Sequence, residues 1–264
     1  MMLKKLINDP FDVVDELLEG FVGAHGEIVQ APAPRVIARR QKATDKVGLV
    51  IGGGSGHEPA FLGYVGLGVA DAAAIGNVFA APGADICLEA IRAASSGRGD
   101  DLDAVVRIAE RTNEMSATIG VALAPCEVPG AGRPTFELGP DDLEIGMGIH
   151  GEAGLQRGRI EPADAVVDKM LDAILADQAA RGLAPGEVAL LVNGLGATAY
   201  LDLYIAYRAA RRRLESAGWT VSRSFVGEYV TSLEMAGASI SILRLDDELR
   251  GLLDAPARTA RLGG

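Results

Sequence analysis

The residues most able to do chemistry in this sequence are two histidines set among glycines. The first, His57, ends the run Gly52-Gly53-Gly54-Ser55-Gly56-His57-Glu58-Pro59. Glycine admits φ > 0 and lets a ligand approach the main chain closely. Successive N–H groups in such a run can converge on an oxygen-rich ligand. The apolar stretch Val47 to Ile51 predicts a short buried strand, and Pro59 suits the first turn of a helix. That places His57 at a strand-to-helix junction, where the positive helix end favours a neutral imidazole able to accept a proton. The same run serves equally as a tight turn with a surface histidine. Two specific loops are excluded: a P-loop needs a lysine that is absent here, and a dinucleotide fingerprint starting at Gly52 meets His57 where it needs glycine.

The second is His150, in Glu144-Ile145-Gly146-Met147-Gly148-Ile149-His150-Gly151-Glu152. Its alternation predicts a strand with one glycine-bearing face, ending at His150. Flanking glycines leave the ring open, and an unprotonated imidazole nitrogen there can attack a ketone or act as a base. Glu152 either orients the ring or is simply a solvated carboxylate. A histidine packed at a strand end is the competing interpretation. The third histidine, His25, reads as a solvated loop residue between Gly23 and Gly26. Cys126 has no base near it in sequence and reads as structural. With Cys87 it forms neither a Cys-x-x-Cys nor a zinc spacing, which suits free thiols in a reducing compartment. No metal site is predicted.

The elements around these residues alternate between helix and strand. A helix opens at Asp9-Pro10, with Phe11, Val14, Leu17, Leu18 and Phe21 on one face, and closes at Gly23. Short strands are expected at 36–38 and 118–124, and a helix after Pro82 ends near Gly97. Asp100 or Asp101 caps another helix, with Leu102, Val105, Val106 and Ala109 on one face. A helix runs from Pro162 to Gly182. A strand at 188–192 leads into Asn193-Gly194-Leu195-Gly196. A helix at 200–217, strands at 219–226 and 240–245 and an acidic helix at 246–253 follow, and the tail from Arg258 reads as loose. This is an α/β pattern.

The chain's 264 residues allow one large or two modest domains. Aromatics make up only 5%, so the core must be built from Ala, Val, Leu and Ile. A net charge of −11 argues against nucleic acid or an anionic membrane as partner. No apolar run approaches the roughly 18 residues of a membrane span, and no signal-peptide pattern follows Met1, so a cytoplasmic protein is expected.

Six separated motifs, in order, resemble the substrate-binding K subunit of dihydroxyacetone kinases. They are Leu6 to Pro10, Gly52 to Pro59, Gly130 to Phe136, Glu144 to Glu152, Asn193 to Gly196 and Thr231 to Gly237. The resemblance implies that His150 forms a covalent hemiaminal with a short-chain ketose, and that Gly54, Ser55, Gly56 and His57 contact substrate hydroxyls. His57 would also assist phosphoryl transfer. Covalent capture would select a carbonyl compound over glycerol, which cannot form the adduct. Dihydroxyacetone is the default substrate and a tetrulose such as erythrulose the alternative. The resemblance further implies a homodimer, a role in glycerol metabolism, and a separate L-type subunit carrying ATP or ADP and Mg²⁺, with no cofactor on this chain.

The sequence departs from the family after Gly97. Roughly two βα units, on the order of 60 residues, are missing there, with the Asn-Tyr-x-Gly-Asp motif whose aspartate is the family's catalytic carboxylate. Two domains are therefore expected: 1–99, an abridged α/β sheet with a Gly-rich strand-to-helix loop, and 100–264, a complete α/β sandwich carrying His150. The ketose would lie between them. The abridged domain should show an open sheet edge and uncovered apolar surface. The missing carboxylate keeps open a non-catalytic ketose-binding or regulatory paralogue, and more remotely an assembly subunit.

Overall fold

The computed structural model describes residues 5–42, 46–95 and 102–263. In chain order the elements begin with α1 (Val13–His25), β1 (Val29–Ala33), β2 (Val36–Arg39), β3 (Val50–Ser55), β4 (Gly66–Leu67), β5 (Ala72–Val78), α2 (Ala84–Ala94) and α3 (Leu102–Met115). They continue with β6 (Ser116–Ala124), β7 (Asp142–Ile145), β8 (Gln156–Arg159), α4 (Ala163–Ala180), β9 (Glu187–Gly194), α5 (Tyr200–Ser216), β10 (Thr220–Gly227), β11 (Ala236–Arg244), α6 (Asp247–Leu253) and β12 (Arg258–Thr259). The chain is α/β and forms two compact units. One comprises Met1–Ile108, Val128–Arg133 and Ala255–Gly264; the other comprises Ala109–Glu127 and Pro134–Asp254. The expected divide at 99/100 and the Asp100/Asp101 cap lie outside the described residues.

The first unit is built on a four-stranded sheet of order β1-β2-β5-β3, in which only β3 and β5 run parallel. Alternation along the strands sends side chains to two cores. Val29, Ile37, Ala73 and Ile75 meet Val14 and Leu18 of α1. Val36, Ala38, Ala72 and Ala74 meet Ala90 and Ala94 of α2. Asp71, almost fully buried, anchors the start of β5 by accepting from Arg39 Nη1 at 3.0 Å and from the Leu49 amide at 2.9 Å.

Two expectations fail here. Gly52, Gly53 and Gly54 lie inside β3 rather than in a turn after it, because neighbours press on that strand. A Cβ on Gly53 would sit 2.1 Å from the Phe61 ring, one on Gly52 2.7 Å from the Ala74 carbonyl oxygen, and one on Gly54 2.7 Å from the Ala80 amide. No α-helix follows Pro59 either. Phe61 takes φ 63°, a left-handed conformation incompatible with an α-helix, and the chain makes only a 3₁₀ turn at Leu62–Tyr64. The Gly-rich segment is thus strand-to-turn, and the helix-dipole argument for His57 falls with the helix. Two smaller corrections follow. His25 closes α1, its ring 4.8 Å from that of Phe21, because the helix continues through Gly23. The tail is ordered through β12, which pairs with β4 and buries Thr259.

Within the described residues β3 pairs only with β5, so its other edge carries no strand. Leu88 and Ile91 of α2, and Leu102, Val105 and Val106 of α3, are exposed. The stripe predicted on α3 is real, but it faces solvent.

The second unit contains a six-stranded sheet of order β10-β9-β11-β6-β7-β8, antiparallel except for β10 with β9. Val188, Leu190 and Val192 of β9, Ile240 and Ile242 of β11, and Ile119 and Val121 of β6 point to one face. There they pack on Met170, Leu171 and Ile174 of α4 and Leu203, Ala210 and Leu214 of α5. Gln178 continues the α4 stripe one turn on. It is fully buried, and neither atom of its amide has a hydrogen-bond partner. Thr118, Gly120, Asn193, Ser239 and Ser241 of the sheet, with Leu191 and Leu195, help line an open depression of about 690 Å³.

Candidate functional site

The strand predicted through His150 ends early. β7 stops at Ile145, and Gly146, at φ 85°, turns the chain out of the sheet. A Cβ on Gly146 would lie 2.9 Å from the Leu155 amide nitrogen, so only glycine makes this exit. His150 therefore sits in a turn, its side chain 44% exposed. The turn is closed by two main-chain bonds: Gly148 N donates to Glu152 O at 3.1 Å, and Gly151 N donates to Gly148 O at 3.0 Å.

Glu152 folds back over this turn. One carboxylate oxygen accepts from the His150 amide at 3.1 Å, and the other lies 3.2 Å from His150 Nδ1. Gly148 makes this possible, since a Cβ there would fall 2.0 Å from Glu152 Oε2. Glu152's own amide, above all, holds its carboxyl below the usual carboxylate range. Desolvation, the next largest effect, opposes this, and the amide and ring of His150 add smaller pulls in the same downward direction. An ionised carboxylate at Nδ1 favours the tautomer that carries the proton there and the lone pair on Nε2. Glu152 thus orients the ring, one of the two roles open to it from sequence.

Behind the turn lies a polar knot that sequence reasoning missed. Ser232, fully buried, donates its hydroxyl to the Ile149 carbonyl and its amide to the Leu195 carbonyl at 2.9 Å. Cys126 Sγ lies 3.6 Å from Ser232 Oγ and 3.5 Å from Thr135 Oγ1, a structural thiol as expected. Asn193, buried at the end of β9, fixes the segment before Ser232. Its Oδ1 accepts from the amides of Tyr229 (2.8 Å) and Val230 (2.9 Å), and its Nδ2 donates to Val230 O (2.8 Å) and Ser239 Oγ (3.1 Å). The sequence signal was the pair of motifs around 193 and 231, which in themselves say nothing of who bonds to whom.

In the first unit, Gly54 and Ser55 close β3, and Gly56 and His57 follow it directly. Ser55 is buried and donates its hydroxyl to Gly76 O at 2.9 Å. Gly56, at φ 94°, makes the turn, and its amide donates to both carboxylate oxygens of Glu58, at 3.0 and 3.1 Å. His57 is only 3% exposed, its ring stacked on Phe79 with centroids 4.9 Å apart and planes 16° from parallel. The surface-histidine alternative for His57 is therefore wrong: Phe79 and the turn enclose it. The Phe79 stack, 22 positions downstream, left no trace in the sequence pattern.

No group of three or more His, Cys, Asp or Glu among the described residues could hold a metal ion. None of the described helices is long and apolar enough to cross a membrane.

Comparison with known proteins completes the picture. The Dak1 domain profile matches residues 19–100 and 94–261. The dihydroxyacetone-binding subunit DhaK of a PTS-dependent dihydroxyacetone kinase from Listeria innocua serovar 6a is 34% identical, over 97% of this chain and 98% of its own. The corresponding subunit of the PEP-dependent kinase of Escherichia coli is 31% identical over 98% and 99%. An L-erythrulose 1-kinase from Mycolicibacterium smegmatis is 31% identical over 96% of this chain and 57% of its own. Among solved structures, the dihydroxyacetone kinase operon co-activator Dha-DhaQ superposes with TM-score 0.86 at 25% identity, covering 93% of this chain and 97% of its own. The C. freundii dihydroxyacetone kinase in complex with AMP-PNP and Mg²⁺ gives 0.85 at 24%, covering 98% and 60%, and speaks for the fold alone. The Listeria alignment spans 327 positions against 264 residues here, so at least 63 of its positions have no counterpart in this chain. The two parts of the Dak1 match meet at 94–100, which places an interruption between α2 and α3. Profile, full-length relatives and fold agree: the chain belongs to the Dak1 family, with the DhaK-type dihydroxyacetone-binding subunits among its relatives.

Proposed function

We propose that this chain is the substrate-binding subunit of a short-chain ketose kinase. His150 captures the carbonyl, and the Gly54-Ser55-Gly56-His57 segment serves the substrate hydroxyls. The observation that carries this reading is the Glu152 carboxylate at His150 Nδ1, because it presents Nε2 as a nucleophile. Nε2 bonds to the carbonyl carbon, and the π pair of the C=O moves to oxygen. The ring proton at Nδ1 passes to Glu152 and on to solvent, and the alkoxide takes a proton, so the neutral hemiaminal forms with no net proton change. His57 then withdraws the proton from the primary hydroxyl as it attacks phosphorus, and positioning supplies most of the remaining rate. The phosphoryl donor, ATP or a phosphorylated carrier, is held with Mg²⁺ by an L-type partner subunit, since this chain has no P-loop. Dihydroxyacetone is the first substrate to test and erythrulose the second, and the working assembly is a homodimer with that partner.

A second reading is favoured by the interruption between α2 and α3 and by the likeness to the operon co-activator: a ketose-binding regulatory paralogue that captures without turnover. One experiment separates the two. The chain is mixed with a nucleotide-loaded L-type subunit and dihydroxyacetone, and both adduct and phosphorylated product are measured. His150→Ala should abolish the adduct, and an adduct that persists removes His150 as nucleophile. His57→Ala should slow transfer far more than it weakens capture. Capture with no product from the unmodified chain supports the regulatory paralogue.

A further inference from the structure

We infer that Ser232 is a positioning residue for His150, an inference that rests on the reading of His150 as the nucleophile. The Ile149 carbonyl and the His150 amide belong to one planar peptide. Its oxygen is held by the Ser232 hydroxyl and its N–H by Glu152 Oε2 at 3.1 Å. A plane gripped at both ends cannot rotate, so the Cα of His150, which lies in that plane and is the origin of its side chain, is held in place. The two grips differ in kind. Glu152 rides on the same exposed turn as His150 and moves with it. Ser232 is fully buried in the segment between β10 and β11 and is tied down at both of its main-chain groups: its amide is bonded to Leu195 O, just past the end of β9, and its carbonyl accepts from the Met235 amide at 3.0 Å, just before β11. Cys126 Sγ, 3.6 Å from Ser232 Oγ, fills the space behind it. Ser232 is therefore the fixed reference against which the ring is aimed, and Glu152 sets the tautomer.

Aim matters because covalent capture needs the nitrogen along the approach line to the carbonyl carbon, and small misplacements of a reacting group are expensive. Loss of one such hydrogen bond corresponds to about a tenfold change in affinity. The test uses the full chain and dihydroxyacetone labelled with ¹³C at the carbonyl, whose resonance moves from the ketone to the tetrahedral region on capture. Ser232→Ala should weaken capture about tenfold at a temperature well below its melting point. The pH dependence of capture should stay unaltered, because Glu152 still holds Nδ1. Should that variant fail to fold, Ser232→Cys in a Cys126→Ala background keeps the volume with a poorer donor and should show the same loss. Wild-type affinity in either folded variant overturns the assignment of Ser232 while leaving His150 in place. Persistence of the tetrahedral signal in His150→Ala overturns the nucleophile itself, and this inference with it.

Discussion

Gly148→Ala is the most direct way to ask whether Glu152 prepares the ring. The new methyl carbon would lie 2.0 Å from Glu152 Oε2 and 2.7 Å from its Cδ. Those atoms are the far end of a flexible side chain, so the carboxylate swings away and the backbone stays. Gly148 is not among the glycines at positive φ, so alanine fits its conformation. The fold should therefore persist, at a cost in stability no larger than that of the two bonds it breaks. Two interactions are lost, the carboxylate's bonds to the His150 amide and to Nδ1. Sheltered charge-assisted bonds contribute about 1.5–3 kcal/mol each. The two side chains are 44% and 61% exposed, and solvent screening brings each bond to about 0.5–1 kcal/mol. Together they predict about 5- to 30-fold weaker ketose capture. The assay is titration with labelled dihydroxyacetone beside a thermal melt. In a Glu152→Gln background Gly148→Ala should add little, since both act on one contact. Wild-type capture by Gly148→Ala, or full additivity with Glu152→Gln, would refute the role given to Glu152.

Three further outcomes are expected. Gln178→Met keeps the volume and removes an amide with no partner, so it should stabilise the chain by about 1–2 kcal/mol, read as a rise in Tm; a fall would mean that a buried water answers the amide. Asn193→Ala removes the Asn193 bonds to the amides of Tyr229 and Val230 and to the Val230 carbonyl, and should cost about 3–5 kcal/mol in denaturant titration. Asp246 caps α6 through the Leu249 amide and pairs with Arg111; the cap first, and the arginine after it, hold its carboxyl below the usual 3.8. A depressed carboxyl stabilises above its unfolded value and loses that stabilisation as pH falls through its lower folded value. Asp246→Ala should therefore be less stable than the parent at neutral pH, with the gap closing only below about pH 3.8.

The parts of this molecule written in local pattern were legible from sequence. The α4 stripe of Val166, Met170, Leu171 and Ile174 and the β9 run of Val188, Leu190 and Val192 are periodic because one face of each is buried, and both elements lie where the periodicity puts them. Glycine misled where its purpose was tertiary. A sequence shows that Gly52, Gly53 and Gly54 lack side chains, not that Phe61, Ala74 and Ala80 need the space. At Gly146 and Gly148 the alternation continues past the true strand end, because one glycine leaves the sheet and the other makes room for a carboxylate four residues on. His57 and His150 were identifiable by type and setting, whereas Phe79 and Ser232, 22 and 82 positions away from them, were not.

The bond from the Gly56 amide to Glu58 has a consequence for what this turn will keep. A glycine turn with open amides grips phosphate; this one has already spent its amide on its own carboxylate. Were the proposed ketose held there, an uncharged triose would meet no electrostatic penalty, while its phosphate ester would be pushed outward by the Glu58 carboxylate. On the proposed reading, the same few atoms that shape the turn would select against the charged form, and inorganic phosphate should prove a poor competitor for it.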